Sequence, residues 1–131
     1  MGKTLHILLI DDDPPVRVTV EAMLGRLGHR VTTAGNGVEG IQKLREIVPD
    51  VVLTDIIMPE KEGIETIMEI RRSHREIKII AMSGGGPTRN LDFLRFAERL
   101  GAHAVLAKPF GLDDLQRVLT QAQNDAPFER D

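Results

Sequence analysis

Five short segments of strand-like composition, each followed by a segment of helical periodicity, constrain the fold of this chain most strongly. Four of the five are apolar runs, which are typical of parallel strands buried on both faces, and the more polar second segment is expected at an edge. Right-handed crossovers between such strands place helices on both faces of the sheet. The pattern therefore predicts an α/β fold, a doubly wound five-stranded parallel sheet with five helices. The strand segments are residues 5–10, 29–33, 51–54, 77–82 and 104–107.

The helical segments begin and end at residues that favour helix termini. Pro14 suits the first turn of the first helix, with Asp13 before it as the N-cap, and Asn36 is expected to cap the second helix. Gly28 is expected to end the first helix, and the fourth helix is expected over residues 89–100. The apolar stripes of the other four helices are Val16, Val20, Met23, Leu24 and Leu27; Val38, Ile41, Leu44 and Ile47; Ile64, Ile67, Met68 and Ile70; and Leu112, Leu115, Val118, Leu119 and Ala122.

Length and composition bound the domain organisation. With 131 residues, of which 41% are hydrophobic, the chain is predicted to form one domain over residues 1–131. Its core is expected at about residues 5–122, followed by a polar tail at 123–131, so no appended output domain is expected. The apolar run at 5–10 is too short for a signal peptide, and no segment reaches the length of a transmembrane helix.

Charge and residue usage exclude several classes of function. The net charge of −3 and the aromatic content of 3% argue against direct nucleic-acid binding, which usually needs a basic face and aromatic platforms for stacking. The absence of Cys excludes disulfides and thiol chemistry and is consistent with a reducing compartment. We therefore expect a cytoplasmic protein that neither binds nucleic acid directly nor inserts into a membrane.

Chemically reactive side chains follow four of the five predicted strands. Asp11 and Asp12 follow the first strand, Asp55 the third, Ser83 the fourth and Lys108 the fifth. In an open parallel sheet the carboxyl ends of the strands lie at one edge, and the ligand crevice forms there. The sequence therefore predicts that carboxylates, a hydroxyl and an ammonium group surround a common crevice.

Carboxylates that share a crevice indicate a bound divalent cation. Two carboxylates about 5 Å apart repel each other by about 3 kcal/mol at an effective dielectric constant of about 20. Mg²⁺ relieves this repulsion by binding a few carboxylates together with waters and a phosphate oxygen. The Ser83 hydroxyl and the Lys108 ammonium would then hold the other oxygens of a phosphoryl group. We predict that the nucleophile is a carboxylate, because the chain has no Cys and Ser83 has no neighbouring His in its segment. Asp55 is the predicted reacting residue, because it ends the central apolar strand and is followed by a Pro/Gly loop that presents it at the sheet edge.

Four motifs carry a family resemblance. They are LLIDDDPPVR, DIIMPEKEG beginning at Asp55, a Ser at the end of the fourth strand, and AKPF around Lys108. Over about residues 5–122 the chain resembles the receiver domains of two-component response regulators, of the stand-alone, chemotaxis-regulator-like type. The resemblance implies a flavodoxin-like sheet of order 2-1-3-4-5.

The resemblance also implies a set of site residues and partners. Asp12 is expected to bind the metal more directly than Asp11, and the Lys108–Pro109 peptide bond is expected to be cis. The phosphoryl donor is expected to be a histidine kinase or a phosphotransfer protein. A separate downstream protein would read a conformational change on the face formed by the fourth helix, fifth strand and fifth helix, and the chain itself would be no enzyme beyond self-catalysed phosphoryl transfer and autodephosphorylation. The implied site comprises the phospho-acceptor Asp55, the Mg²⁺ ligands Asp11, Asp12, Asp55 and the backbone carbonyl of Ile57, and the phosphoryl contacts Ser83 and Lys108.

Two positions depart from the family pattern. Val105 stands where the family often has a Tyr or Phe that acts as a rotameric switch, and three glycines, residues 84–86, follow Ser83. Glycine loses more conformational entropy on ordering than any other residue, so this segment is predicted to be a flexible loop. The hypothesis is that the glycines act as a hinge in place of the missing aromatic side chain.

Two alternative functions compete with the receiver interpretation. A small Mg²⁺-dependent phosphatase of the haloacid-dehalogenase type also uses an aspartyl phosphate, a Ser or Thr and a Lys. In that family, however, the nucleophile follows the first strand in a D-x-D pattern, whereas here the paired acids come first and Pro14 follows Asp13. A scaffold that is never phosphorylated is the other alternative, and the complete set of site residues argues against it.

Overall fold

The structure, a computed structural model, describes residues 4–56, 62–83, 95 and 98–124. All paired strands are parallel, and they follow one another in the sheet in the order 2-1-3-4-5, which confirms the predicted topology. The strands are β1 (His6–Ile10), β2 (Arg30–Ala34), β3 (Val51–Asp55), β4 (Lys78–Ser83) and β5 (Ala104–Ala107). The helices with described bounds are α1 (Pro14–Arg26), α2 (Gly37–Lys43), α3 (Glu62–Ser73) and α4 (Leu112–Asn124), the last of which is the predicted fifth helix.

The fourth predicted helix lies mostly outside the described residues. Arg95 and residues 98–100 are helical, and Gly101 follows them with φ of 121°. Only glycine adopts such a backbone conformation without strain, as expected where a helix ends. Residues 84–86, the predicted hinge, also lie outside the described ranges, so that hypothesis stays a prediction.

Two apolar layers cover the sheet, one on each face. On the first face, α1 and α4 pack through Val20, Leu24, Leu115 and Val118 onto β1, β3, β4 and β5. On the second face, α3 packs through its buried isoleucines, Ile67 and Ile70. Alternate residues of a strand point to opposite faces, so Leu9 and Leu53 belong to the first layer while Leu8 and Val52 belong to the second. The strands β1, β3 and β4 are therefore buried on both sides, as their apolar runs predicted, and the more polar β2 lies at an edge of the sheet.

The second helix departs from its predicted apolar stripe. Asn36 caps it as expected, since its side-chain oxygen accepts a hydrogen bond of 2.8 Å from the Glu39 amide. Val38, however, is 60% exposed, and the helix ends at Lys43. Gly40 instead faces the sheet, where an added Cβ would collide with the side chain of Ile10. Leu44 is buried and Ile41 is partly buried in the second apolar layer, so the predicted stripe is correct at these two positions and wrong at Val38. At Gly40 the helix approaches the strand through a missing side chain, which a hydrophobic pattern does not indicate.

Two smaller predictions about single residues have different outcomes. Met68 was expected to pack in the core, but it is 43% exposed on the outer side of α3, so that prediction is wrong. Asp13 occupies the N-cap position of α1 and Pro14 the first turn, as expected. The Asp13 side chain makes no capping hydrogen bond, so the fixed φ of proline sets the start of this helix.

Candidate functional site

The register of the sheet brings the predicted residues to one edge. Asp55 is the last residue of β3 and pairs with Met82, and Ser83 is the last residue of β4 and pairs with Ala107. Lys108 follows that partner directly. Because parallel strands with aligned ends finish together, their terminal side chains surround the same crevice.

Three carboxylates converge in this crevice. Asp11, Asp12 and Asp55 each offer one oxygen, and the three oxygens all lie within 4.8 Å of one another. Asp11 is fully buried, Asp55 is 6% exposed, and Asp12 is partly exposed at the mouth. Hard oxygen donors this close together are the ligand set that Mg²⁺ prefers, so the residues fit the predicted metal. Ile57, the fourth predicted ligand, lies outside the described residues.

Lys108 bridges two of the three carboxylates. Its Nζ donates to Asp55 Oδ2 and to Asp11 Oδ2, at 2.9 Å in both cases. Burial by itself lowers the pKa of Lys108, but the hydrogen bonds and negative charges of Asp55 and Asp11 outweigh it, and the net pKa lies above its ordinary 10.5. The ammonium therefore stays charged at neutral pH. Its contribution to stability is fully present below the ordinary pKa and is lost as the pH rises through the raised one.

Asp11 is held in place by main-chain and side-chain contacts that fix the orientation of its carboxylate. Its Oδ1 accepts a hydrogen bond of 2.9 Å from the Asp13 amide, which leaves Oδ2 directed at Lys108. Arg17 Nη1 donates to the Asp11 carbonyl at 2.7 Å. The sequence did not indicate a role for Arg17, because an arginine near the start of a helix cannot be distinguished by sequence from an arginine that is simply solvated.

The Ser83 hydroxyl is buried at the edge of the same crevice. Its oxygen has no hydrogen-bond partner among the described residues, whereas the Ser83 carbonyl accepts a bond of 2.7 Å from the Lys108 amide. A buried hydroxyl without a partner costs about 1–3 kcal/mol. Such a group suits a site that receives an oxygen-rich ligand, because the ligand would supply the missing acceptor.

Gly63 lets the start of α3 lie directly against the acceptor strand. A Cβ at this position would collide with the backbone carbonyl of Asp55 and with the backbone of Ile56. Gly63 is the last residue of the motif that begins at Asp55, and the motif alone does not indicate this contact. The structure shows that its lack of a side chain is what allows the helix and the strand end to touch.

The structure thus brings together five of the six predicted site residues. Asp11, Asp12 and Asp55 form the acidic cluster, Lys108 pairs with two of its members, and Ser83 ends the neighbouring strand. The Lys108–Pro109 peptide bond is cis, as the resemblance implied.

Comparison with known protein families decides the classification. The model of the response regulator receiver domain matches residues 7–120. The chain belongs to this family. The acidic residues after β1 and the aspartate that ends β3 therefore lie at the carboxyl edge of the sheet of a receiver domain.

Curated relatives of this receiver domain are response regulators. It is 37% identical over 119 residues to the probable C4-dicarboxylate response regulator DctR of Halalkalibacterium halodurans, covering 89% of this chain and 50% of the relative. It is also 37% identical over 121 residues to the transcriptional regulatory protein ZraR of Klebsiella oxytoca, covering 92% of this chain and 27% of the relative. The chain thus spans between a quarter and a half of the length of these two relatives.

Solved structures show the same fold. The receiver domain of NtrX from Brucella abortus is similar with a TM-score of 0.84 and 28% sequence identity, over 92% of this chain and 99% of that one. A receiver domain protein from Clostridium thermocellum is similar with a TM-score of 0.82 and 30% identity, over 91% of this chain and 94% of that one. Within the described part of this receiver domain, no helix is long and apolar enough to cross a bilayer.

Proposed function

We propose that this receiver domain accepts a phosphoryl group on Asp55, with Mg²⁺ bound beside it, from a histidine kinase or a phosphotransfer protein. One observation carries the proposal: three carboxylates lie within 4.8 Å of one another, and the Lys108 ammonium pairs with two of them. The relatives support the donor class, since one of them is the sporulation initiation phosphotransferase F of Bacillus subtilis, 29% identical over 84% of this chain and 86% of the relative.

The transfer is a displacement at phosphorus. A carboxylate oxygen of Asp55 attacks the phosphorus of the donor phosphohistidine, the phosphorus–nitrogen bond breaks, and the leaving imidazole takes up a proton. Lys108 neutralises the oxygens of the transferred group from the position in which it now pairs with Asp55 and Asp11. The unpartnered Ser83 hydroxyl supplies a further hydrogen bond to a phosphoryl oxygen.

Asp11, Asp12 and Asp55, with the backbone carbonyl of Ile57, would hold the metal ion. When bound, Mg²⁺ neutralises the phosphoryl oxygens and the crowded carboxylates. Asp12 is the most accessible of the three acids, and Asp11 is fixed by the amide of Asp13 and by Lys108. Asp11 therefore orients the site from within, and Asp12 is the ligand that faces an entering ion.

A shallow apolar groove beside Lys108 suits the docking of the donor. It has a volume of about 280 Å³ and connects α1 with the segment after β5. Apolar surface next to a charged site provides affinity for a protein donor without occupying the charged groups. The groove is lined chiefly by Pro15, Val16, Thr19, Met23, Pro109 and Phe110.

The phosphorylated domain would pass its signal to another protein. The chain would be no enzyme beyond self-catalysed transfer and autodephosphorylation, and its signal would pass to a partner protein through the face of the fourth predicted helix, β5 and α4. Val105 on β5 is partly buried and packs against the second apolar layer. A cytoplasmic location fits the absence of cysteine.

Incubation with acetyl phosphate tests the function and separates it from the two alternatives. In the presence of Mg²⁺, the intact mass of the protein should increase by a single phosphoryl group, and EDTA should prevent the increase. p-Nitrophenyl phosphate should not be turned over repeatedly. Sustained hydrolysis of that ester without a covalent phosphoprotein would favour a phosphatase, and no uptake from any donor would favour a scaffold.

A further inference from the structure

A groove lined by four arginines lies on the second face of the molecule, away from the acidic crevice. It has a volume of about 410 Å³ and combines residues of α3 and the segment just after it with two residues that precede Gly101. Neither the proposed phosphoryl transfer nor the donor groove uses this feature. The arginine groove is lined by Met68, Arg71, Arg72, Arg75, Arg99 and Leu100.

The exposed arginines of the groove carry like charges that repel one another in the isolated domain. Met68, Arg71 and Arg72 lie one turn apart on one side of α3, and Arg75, two residues beyond the end of this helix, lines the same groove. The helix dipole explains cations in the last turn, which contains Arg71 and Arg72. It does not explain Arg75, which lies beyond the helix, or Arg99, which comes from another segment. No acidic side chain lines the groove among the described residues.

The buried side chain of Arg71 forms the floor of the groove. Its side chain is only 6% exposed, and it crosses the backbone of Gly101 so closely that a Cβ there would lie 2.6 Å from Arg71 Nε. Gly101 also has the positive φ of 121° that favours glycine. The missing Cβ of Gly101 leaves room for the buried Arg71 side chain, and the positive φ independently favours glycine at this position.

We propose that the arginine groove binds an acidic segment of a partner protein that also carries an apolar anchor residue. Guanidinium groups pair with carboxylates through two parallel hydrogen bonds, and the three exposed guanidinium groups can receive several carboxylates along an extended segment. The exposed Met68 and the partly buried Leu100 provide adjacent apolar contacts. Arginine and methionine are among the residues enriched at protein interfaces, and no lysine is found among the described residues that line the groove.

Other anionic ligands fit the groove less well. A free phosphate or a nucleotide is usually held by amide N–H groups at the start of a helix, but this groove lies at the carboxyl end of α3, where carbonyl groups are exposed. A nucleic acid would need aromatic side chains for stacking, and none of the described residues that line the groove is aromatic. Charge complementarity therefore selects an acidic peptide.

The position of the groove allows a partner and a phosphoryl donor to bind at the same time. The start of α3 packs on Asp55 through Gly63, while the groove lies at the opposite end of this helix of 12 residues. At a rise of about 1.5 Å per residue, the two ends are about 18 Å apart. The acidic segment would therefore not compete with phosphoryl transfer at Asp55.

Binding of a labelled peptide tests the proposal directly. The probe is a fluorescein-labelled peptide of Glu-Glu-Leu repeats, and its fluorescence anisotropy is measured with the full chain. Arg72→Glu combined with Arg75→Glu should weaken binding at least about tenfold, because each change replaces an attractive pair by a repulsive one. Amide chemical shifts should change at residues 68–75 and 99–101.

Arg26→Glu combined with Arg30→Glu is the matched control. Arg26 is also an exposed arginine in the last turn of a helix, but it lies on α1. This control should bind the Glu-Glu-Leu peptide like the wild type, and a peptide with Lys in place of Glu should not bind. Equal loss in both double variants, shift changes away from the groove, or no binding to the wild type would overturn the proposal. Tighter binding of ATP or of polyuridylate at the groove would overturn the assignment to a protein partner.

Discussion

Asp12 and Asp13 are neighbours in the sequence but have different roles in the structure. Asp12 joins the acidic cluster with Asp11 and Asp55, whereas Asp13 lies at the start of α1 and its amide holds the Asp11 carboxylate. The sequence predicted these two positions: Asp12 follows the first strand, and Asp13 directly precedes Pro14 and therefore occupies the N-cap of the helix. The contacts of Lys108 and Arg17 could not be predicted in the same way, since each depends on which distant atoms the fold brings within reach.

Mg²⁺ binding should distinguish these two aspartates. Mg²⁺ should raise the melting temperature of the wild type, since a ligand that binds only the folded state stabilises it by mass action, by about 2.7 kcal/mol at one hundred times its Kd. Asp12→Ala removes a ligand and should weaken Mg²⁺ binding at least about tenfold. Thermal melts with and without Mg²⁺ measure the difference.

Asp13→Ala serves as the control for Asp12→Ala. The Asp13 side chain makes no cap hydrogen bond, and the amide that holds Asp11 belongs to the backbone, so the response to Mg²⁺ should persist. An equal response to Mg²⁺ in the wild type and in Asp12→Ala would show that the acidic cluster is not the metal site.

At the scale of the helices and strands, the hydrophobic pattern predicted most contacts but not those that a glycine makes possible. Strand positions followed from the apolar runs, α1 and α4 present their predicted apolar stripes, and α3 presents its stripe except at Met68. The second helix follows its predicted stripe at Ile41 and Leu44 but not at Val38, and Gly40 makes the close contact with Ile10. Close backbone contact through a missing side chain leaves no hydrophobic signal, so it could not be found from the sequence. The same holds for Gly63 against Asp55 and Gly101 against Arg71.

Alanine substitutions at two helical glycines should therefore change stability in opposite directions. Gly25→Ala in α1 should raise the free energy of unfolding by about 0.5–1 kcal/mol, because an added Cβ meets nothing within 4 Å and alanine favours the helix. Gly63→Ala should lower it by about 1–3 kcal/mol, since the added Cβ meets backbone atoms that cannot rotate away. Urea denaturation measures both, and a Gly63→Ala variant as stable as the wild type would contradict the close contact of α3 with Asp55.

At the scale of the whole molecule, charge is separated between two places. Among the described residues, the carboxyl edge of the sheet gathers three carboxylates around the Lys108 ammonium group, and the far end of α3 and the residues before Gly101 gather four arginines. The net charge of −3 is a sum over the whole chain and does not show this separation. From the net charge alone, we could infer only that direct binding of nucleic acid is unfavourable. The acidic edge followed from strand-end residues and topology. The arginine groove did not, because its residues come from segments that are far apart in the sequence and look like ordinary solvated helix charges.

The central claim is that the reacting group is Asp55 and no other acid of the cluster. Mass spectrometry of peptides after treatment with acetyl phosphate and Mg²⁺ tests it most directly. The phosphoryl group should be found only on the peptide that contains Asp55, and Asp55→Asn should remove the label while the protein remains folded. A phosphoryl group on Asp11 or Asp12 in the wild type, or full labelling of Asp55→Asn, would contradict the account.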